Sequence, residues 1–206
     1  MGYNVVINGF HGTTEDAARK ILKNREFSYN NSDNHWLGQG VYFFRDDPEQ
    51  AMSWALQRVN NEENAVVIST VIDVDTKSFL DLNTRTGILT FDKLLKDIEQ
   101  KVGFNIEKRS DDENSYNHKL RCMILDLLPN YIKVIQKNFK IKNQPKMITQ
   151  NLLMQAINIE MYSVQVCVRD TNTIKKHSIR KYKEFSNSTK YKVMKRKKKR
   201  KLNFKI

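Results

Sequence analysis

The sequence predicts one α+β domain over residues 1–185, followed by a basic tail over 186–206. Three observations predict it. Short β-branched apolar runs alternate with stretches whose apolar residues recur at helical spacing. A chain of 206 residues is long enough for one core of ordinary size and short for two. Charge is also segregated. From Thr171 onward there are 15 Lys or Arg against Glu184 alone, so the rest of the chain carries about −1 of the total +13. A near-neutral body with a basic end is a different object from a basic domain.

Residues 5–9, with Val5, Val6 and Ile7, read as a strand. Thr14 is a candidate helix cap. Glu15 and Asp16 fill the first turn, and Ala17, Ile21 and Leu22 supply an apolar face. Residues 30–34, all Asn, Ser or Asp, read as a polar loop. A second strand follows over 41–44. Asp47-Pro48-Glu49 opens a helix running to about Val59, because the N–H that Pro48 lacks would be unpaired in a first turn anyway. Residues 65–74 are β-branched and apolar, which marks a central strand.

Residues 79–82 read as a short strand or turn. Phe91, Leu94, Leu95 and Ile98 give helical spacing over 91–102, and residues 119–128 show it again, with a polar loop at 111–115 between them. A short helix is expected over 148–156 and an alternating strand over 161–168. Residues 129–147 receive no assignment. Residues 190–206 hold ten basic residues and no acid. Such a run buries no apolar surface and repels itself, so it is expected to be mobile.

Cys122 and Cys167 lie in apolar runs and read as buried thiols, since a free cysteine behaves as a small hydrophobe. With no disulfide framework and no metal-ligand spacing, a reducing, cytoplasmic setting and no metal are expected. No signal peptide is visible, and no run approaches the ~20 apolar residues of a membrane span. His35, His118 and His177 are scattered and read as surface or loop residues.

Three separated pieces carry the chemistry. They are Gly9-Phe10-His11-Gly12-Thr13, then Trp36-Leu37-Gly38-Gln39-Gly40-Val41-Tyr42-Phe43-Phe44, then Ala51-Met52-Ser53-Trp54-Ala55. A histidine ends a short strand and is followed by a glycine, which lets a ligand approach the backbone. A tyrosine follows a Gly-x-Gly bend, and a helix presents a tryptophan. One polar anchor, one close-approach backbone and two aromatic plates suit a flat heteroaromatic ring attached to a sugar.

In order and spacing these pieces resemble the start of the ADP-ribosyltransferases, in the branch that includes diphtheria toxin and the poly(ADP-ribose) polymerases. There the first strand ends in His-Gly-Thr or His-Gly-Ser, the next reads Gly-x-Gly-[Ile/Val]-Tyr-Phe, and a later helix carries a stacking aromatic. The resemblance covers residues 5–55 well and 65–82 loosely, and it extends to 161–175. It implies a split, mostly antiparallel β-core flanked by helices, with NAD as substrate. It implies that His11 bonds a ribose hydroxyl of NAD and that Gly12, with Thr13 beside it, grips the nicotinamide amide. Tyr42 would stack on the nicotinamide ring. Trp54 would be the opposing plate, where the polymerases more often use a tyrosine.

The third catalytic position departs from the family. The polymerases place a glutamate on a late strand, and Gln165 falls there in this chain. An amide is a poor general base, so chain elongation is not expected, although Gln165 can still orient the nicotinamide ribose. Glu160 is the other candidate, five residues earlier, which alternation would put on the opposite face of a strand running through both. The resemblance thus implies a mono-ADP-ribosyltransferase, a glycosyltransferase acting as a toxin or phage-defence effector. Its acceptor would be RNA or protein, and an antitoxin protein a further partner. The basic tail fits a polyanionic target such as RNA, since Lys and Arg attract phosphate backbones, and it fits equally a solubilising Lys-rich terminus or a nuclear-localisation signal. The alternative is a non-catalytic module that binds NAD or ADP-ribose in the cleft and RNA through its tail.

Overall fold

Strand β1 (Asn4–Thr14) organises the molecule. It leads directly into helix α1 (Glu15–Asn24), whose start is fixed by Thr14: its side chain accepts from the Ala17 N–H at 3.3 Å. Strand β2 (Val41–Arg45) and helix α2 (Pro48–Arg58) follow, with Asp47 capping α2 by accepting from the Gln50 N–H at 2.9 Å. The remaining elements are β3 (Ala65–Asp75), β4 (Phe79–Asp81), α3 (Arg85–Val102), α4 (Glu113–Asp126), β5 (Val134–Lys140), α5 (Leu152–Ala156), β6 (Tyr162–Val168) and β7 (Arg180–Lys181). The computed structural model describes residues 2–31, 35–102, 113–141 and 150–183.

The strands form a seven-stranded sheet in the order β4-β5-β6-β2-β1-β3-β7. Every neighbouring pair is antiparallel except β4 with β5. The predicted α+β class and mostly antiparallel core are thus present. On one face, Ile7, Val41, Phe43, Ile68, Ile72 and Val166 pack with Ala18 of α1 and with Phe27. On the other, Ala51, Met52, Ala55 and Leu56 of α2 cover Phe44 and Val67. Beside α2, Leu94 and Ile98 of α3 and Leu125 of α4 cover Leu80, Ile135 and Cys167. The C-terminal end of α4 and the loop after it are gathered by the Arg169 guanidinium, which donates to the carbonyls of Asp126, Leu128, Pro129 and Ile132. Such multiple donation satisfies carbonyls that a helix end leaves unpaired.

Several expectations need correction. The first strand does not stop at residue 9; β1 runs on through Thr14 because β3 pairs with it along its full length, so His11, Gly12 and Thr13 are strand residues. α3 begins at Arg85, where the Thr84 hydroxyl accepts from the Gly87 N–H and the Thr84 carbonyl from the Ile88 N–H. Residues 113–115 of the expected polar loop belong to α4, and 111–112 lie outside the described residues. β5 occupies part of the unassigned stretch. The expected helix at 148–156 is α5 from Leu152, with 148–149 outside the described residues. Positions 32–34 of the loop, the His118 side chain and the tail at 186–206 also lie outside them. Both cysteines are buried free thiols, as expected. Among the described residues no helix is long and apolar enough to cross a membrane.

Candidate functional site

The site arises where the sheet opens. β1 and β2 pair at only two positions, Gly9 with Arg45 and Phe10 with Phe44. Beyond Phe10 the strands part, because the start of β2 is committed to its other neighbour: Val41 to Phe44 pair with β6. Gly40 shows how close that approach is, since a Cβ there would lie 2.6 Å from the Val168 carbonyl oxygen. The parting leaves the Tyr42 carbonyl without a strand partner on the β1 side. His11 fills the gap, its Nδ1 lying 2.8 Å from that oxygen.

This contact fixes the chemistry of His11. A carbonyl only accepts, so Nδ1 carries the proton and Nε2 keeps its lone pair. Burial pushes the imidazole pKa below its ordinary value, and the charge of Arg58 lowers it further, against the opposing pull of the Tyr42 carbonyl. His11 is therefore a neutral ring at pH 7. Edge-to-face packing on Phe27, with centroids 5.4 Å apart, holds its plane.

A cleft of about 730 Å³ opens along the parting. It brings together six residues singled out from sequence: His11, Gly12, Thr13, Tyr42, Trp54 and Gln165. Strand alternation puts His11 on the face of Phe43, and Tyr42 and Gln165 on the opposite face. Residues from both faces reach one cleft because the sheet is open between β1 and β2. Glu160 is not among the lining residues. It lies before β6 and pairs with Lys140 and the Tyr162 hydroxyl. Among the described lining residues there is no Asp or Glu. Nor do the described residues gather three His, Cys, Asp or Glu that could hold a metal ion.

Tyr42 is both wall and tether. Its hydroxyl donates to the Gly38 carbonyl at 2.8 Å and accepts from the Leu37 N–H at 2.7 Å. That pins the turn at Gly38, where φ is +81° and a side chain would be strained. Burial raises the Tyr42 pKa, and it pushes the neighbouring Cys167 thiol up to about 12, so both stay protonated.

The pinned turn lays Trp36 into the cleft, a role that reading the sequence alone missed. Its ring meets Tyr42 at 5.5 Å and Trp54 at 5.6 Å, both edge-to-face, so Trp36 bridges the two expected plates. Its indole N–H donates to Gln165 Oε1 at 2.7 Å. An indole N–H only donates, so the amide orientation is set: Gln165 keeps its oxygen on Trp36 and has its two Nε2 hydrogens to offer. The second missed residue is Arg58, which lines the cleft and lies with its guanidinium carbon 4.6 Å from the centre of the Trp54 ring. The signal was in the sequence, since residues four apart on a helix share a face. Gly12 also has a reason other than ligand access. A Cβ there would stand 1.9 Å from the Ala51 carbonyl oxygen, so glycine is what lets α2 lie against β1.

No protein-family model matches the chain, and no solved structure does. The chain is similar to a protein of Methanocaldococcus jannaschii described as uncharacterized, 26% identical over 186 residues that span 81% of this chain and 84% of that one. That description names no activity.

Proposed function

We propose that the cleft binds NAD and that the protein transfers a single ADP-ribose unit from it to a macromolecular acceptor. The observation that carries this reading is the convergence of His11, Gly12, Thr13, Tyr42, Trp54 and Gln165, drawn from three strands and a helix, on one cleft. At about 730 Å³ it falls within the roughly 300–1,000 Å³ usual for small-molecule sites. The neutral His11 offers Nε2 as an acceptor for a ribose hydroxyl. Tyr42 and Trp36 offer aromatic surface for the nicotinamide ring.

Cleaving the bond between nicotinamide and ribose develops positive charge on the sugar, much as glycoside hydrolysis does. Nicotinamide leaves with the bonding electrons, and a nucleophilic atom of the acceptor forms the new bond to the ribose carbon and releases its proton to solvent. The protein's part is to hold NAD and acceptor in line. Gln165, with its oxygen on Trp36, orients the ribose by donating from Nε2. No carboxylate among the described lining residues can activate a ribose hydroxyl for a second transfer, which favours one unit per site. The same observation supports a second reading, a module that binds NAD or ADP-ribose without catalysis.

Incubation with labelled NAD and a mixture of cellular protein and RNA separates the two. Label of one unit per site on either class of acceptor supports transfer, and ladders of polymer would sink the single-unit reading. Binding of NAD by calorimetry with no transfer leaves the module. No binding of NAD, nicotinamide or ADP-ribose removes both.

A further inference from the structure

Resting on the NAD reading, we infer that Arg58, held over the Trp54 indole at the cleft wall, is the residue that takes the ligand's diphosphate. Trp54 is then a platform for this arginine as well as a wall of the site.

Four observations converge on Arg58. It lines the cleft with its guanidinium carbon over the Trp54 ring, a cation–π contact that uses none of its N–H donors in a hydrogen bond to the indole. Among the described residues no carboxylate pairs with it, and Glu62, four residues on, has both carboxylate oxygens without a hydrogen bond. No acid among the described lining residues offsets its charge within the cleft. The charge is felt inside the site, because it helps to keep His11 neutral. An unopposed guanidinium in a cleft that binds a dinucleotide selects the part of the ligand that carries negative charge. Planar paired donors match phosphate oxygens better than any other group in the lining.

The N-terminus of α1 is the competing place for a phosphate, since Thr14 and Ala17 also line the cleft. It is the poorer one. The Thr14 hydroxyl already accepts the Ala17 N–H, and the acidic Glu15 and Asp16 of the first turn already answer the positive end of the helix. The diphosphate is therefore drawn to the α2 side. The nicotinamide ring, a pyridinium cation in NAD, then lies toward the aromatic surfaces of Tyr42 and Trp36 and away from the guanidinium.

The test is calorimetry of the full chain and its Arg58→Gln variant with NAD, ADP and nicotinamide, each at two salt concentrations. Arg58 is exposed at the end of α2, and the variant's melting temperature checks that it folds as the parent does. The expected result is a loss of about tenfold or more for NAD and ADP, a flatter salt dependence, and unchanged nicotinamide affinity. Arg58→Lys should recover part of the loss, because it restores charge without the planar fork. Equal NAD and ADP affinity in parent and Arg58→Gln overturns the assignment, and so does an equal fall for nicotinamide. If the parent binds ADP through Arg58 but neither NAD nor nicotinamide, the anion site stands and the NAD reading falls. Binding of none of the three overturns both.

Discussion

The two edges of β1 are opposites. Toward β3 the strand pairs at eleven successive positions, from Asn4 with Asp75 to Thr14 with Ala65. Toward β2 it pairs at two. The same residues, His11 to Thr14, are zipped on one side and open on the other. On the closed edge the backbone groups satisfy one another. On the open edge side chains do that work: His11 bonds the Tyr42 carbonyl, and the Tyr42 hydroxyl bonds Leu37 and Gly38. The comparison teaches where a sheet can host a ligand. Backbone groups withdrawn from water need partners, and an edge that meets that need with side chains keeps polar atoms such as His11 Nε2 available for something else.

The comparison can be broken first on the closed edge. Ile68, fully buried on β3 opposite His11, packs the core without lining the cleft. Ile68→Ala should cost about 3 kcal/mol in urea unfolding. The folded fraction should bind NAD with unchanged affinity, and a large loss of affinity would mean that the two edges are not separable.

The open edge should behave the other way. Tyr42→Phe keeps the ring and removes the hydroxyl that holds the turn at Gly38. It should cost about 1–2 kcal/mol of stability yet lower NAD affinity several-fold, because Trp36 loses its anchor. Unchanged binding, measured by calorimetry, would show that the turn holds Trp36 without Tyr42.

The smallest effect is in pH. His11 is buried neutral with a pKa below its unfolded value of about 6.5. A base depressed in this way contributes stability that is fully present above the unfolded pKa and is lost as pH falls toward the folded pKa, since the unfolded chain binds the proton first. Melting temperature and NAD affinity should therefore hold level from pH 8 to about 6.5 and decline below it. His11→Asn should flatten that decline. A parent profile that declines above pH 7 would instead mean that His11 is charged in the folded protein.

Local features were legible in the sequence. Thr14 caps its helix as read, and Asp47-Pro48-Glu49 opens α2 as read, because a helix start needs only a few neighbouring residues. His11, Tyr42, Trp54 and Gln165 were singled out by resemblance, and the structure brings them to one cleft. What escaped depends on distant chain. β1 continues past Gly9 only because β3 is long enough to pair with it. β5 was invisible because its second half, from Lys137 to Lys140, turns mostly polar and exposed, so its pairing with β6 defines it. Gly12 was read as a ligand-access glycine, and that the backbone of α2 also requires it shows only once α2 is packed on β1. The orientation of the Gln165 amide is set by Trp36, 129 positions away in the chain.

Trp36 and Trp54 are the two tryptophans of the chain, and they meet edge-to-face with centroids 5.6 Å apart in the lining of one cleft. All indole emission of the native protein therefore originates at this single place. A ring stacked on Trp36, or an anion bound to Arg58 over Trp54, would alter its intensity or wavelength directly. Occupancy becomes an optical signal that needs no label. The eight tyrosines contribute nothing to it under excitation that reaches indole alone. Titrating the unmodified chain in a fluorimeter follows the cleft filling in real time, and Trp36→Phe with Trp54→Phe divides that light between the two walls.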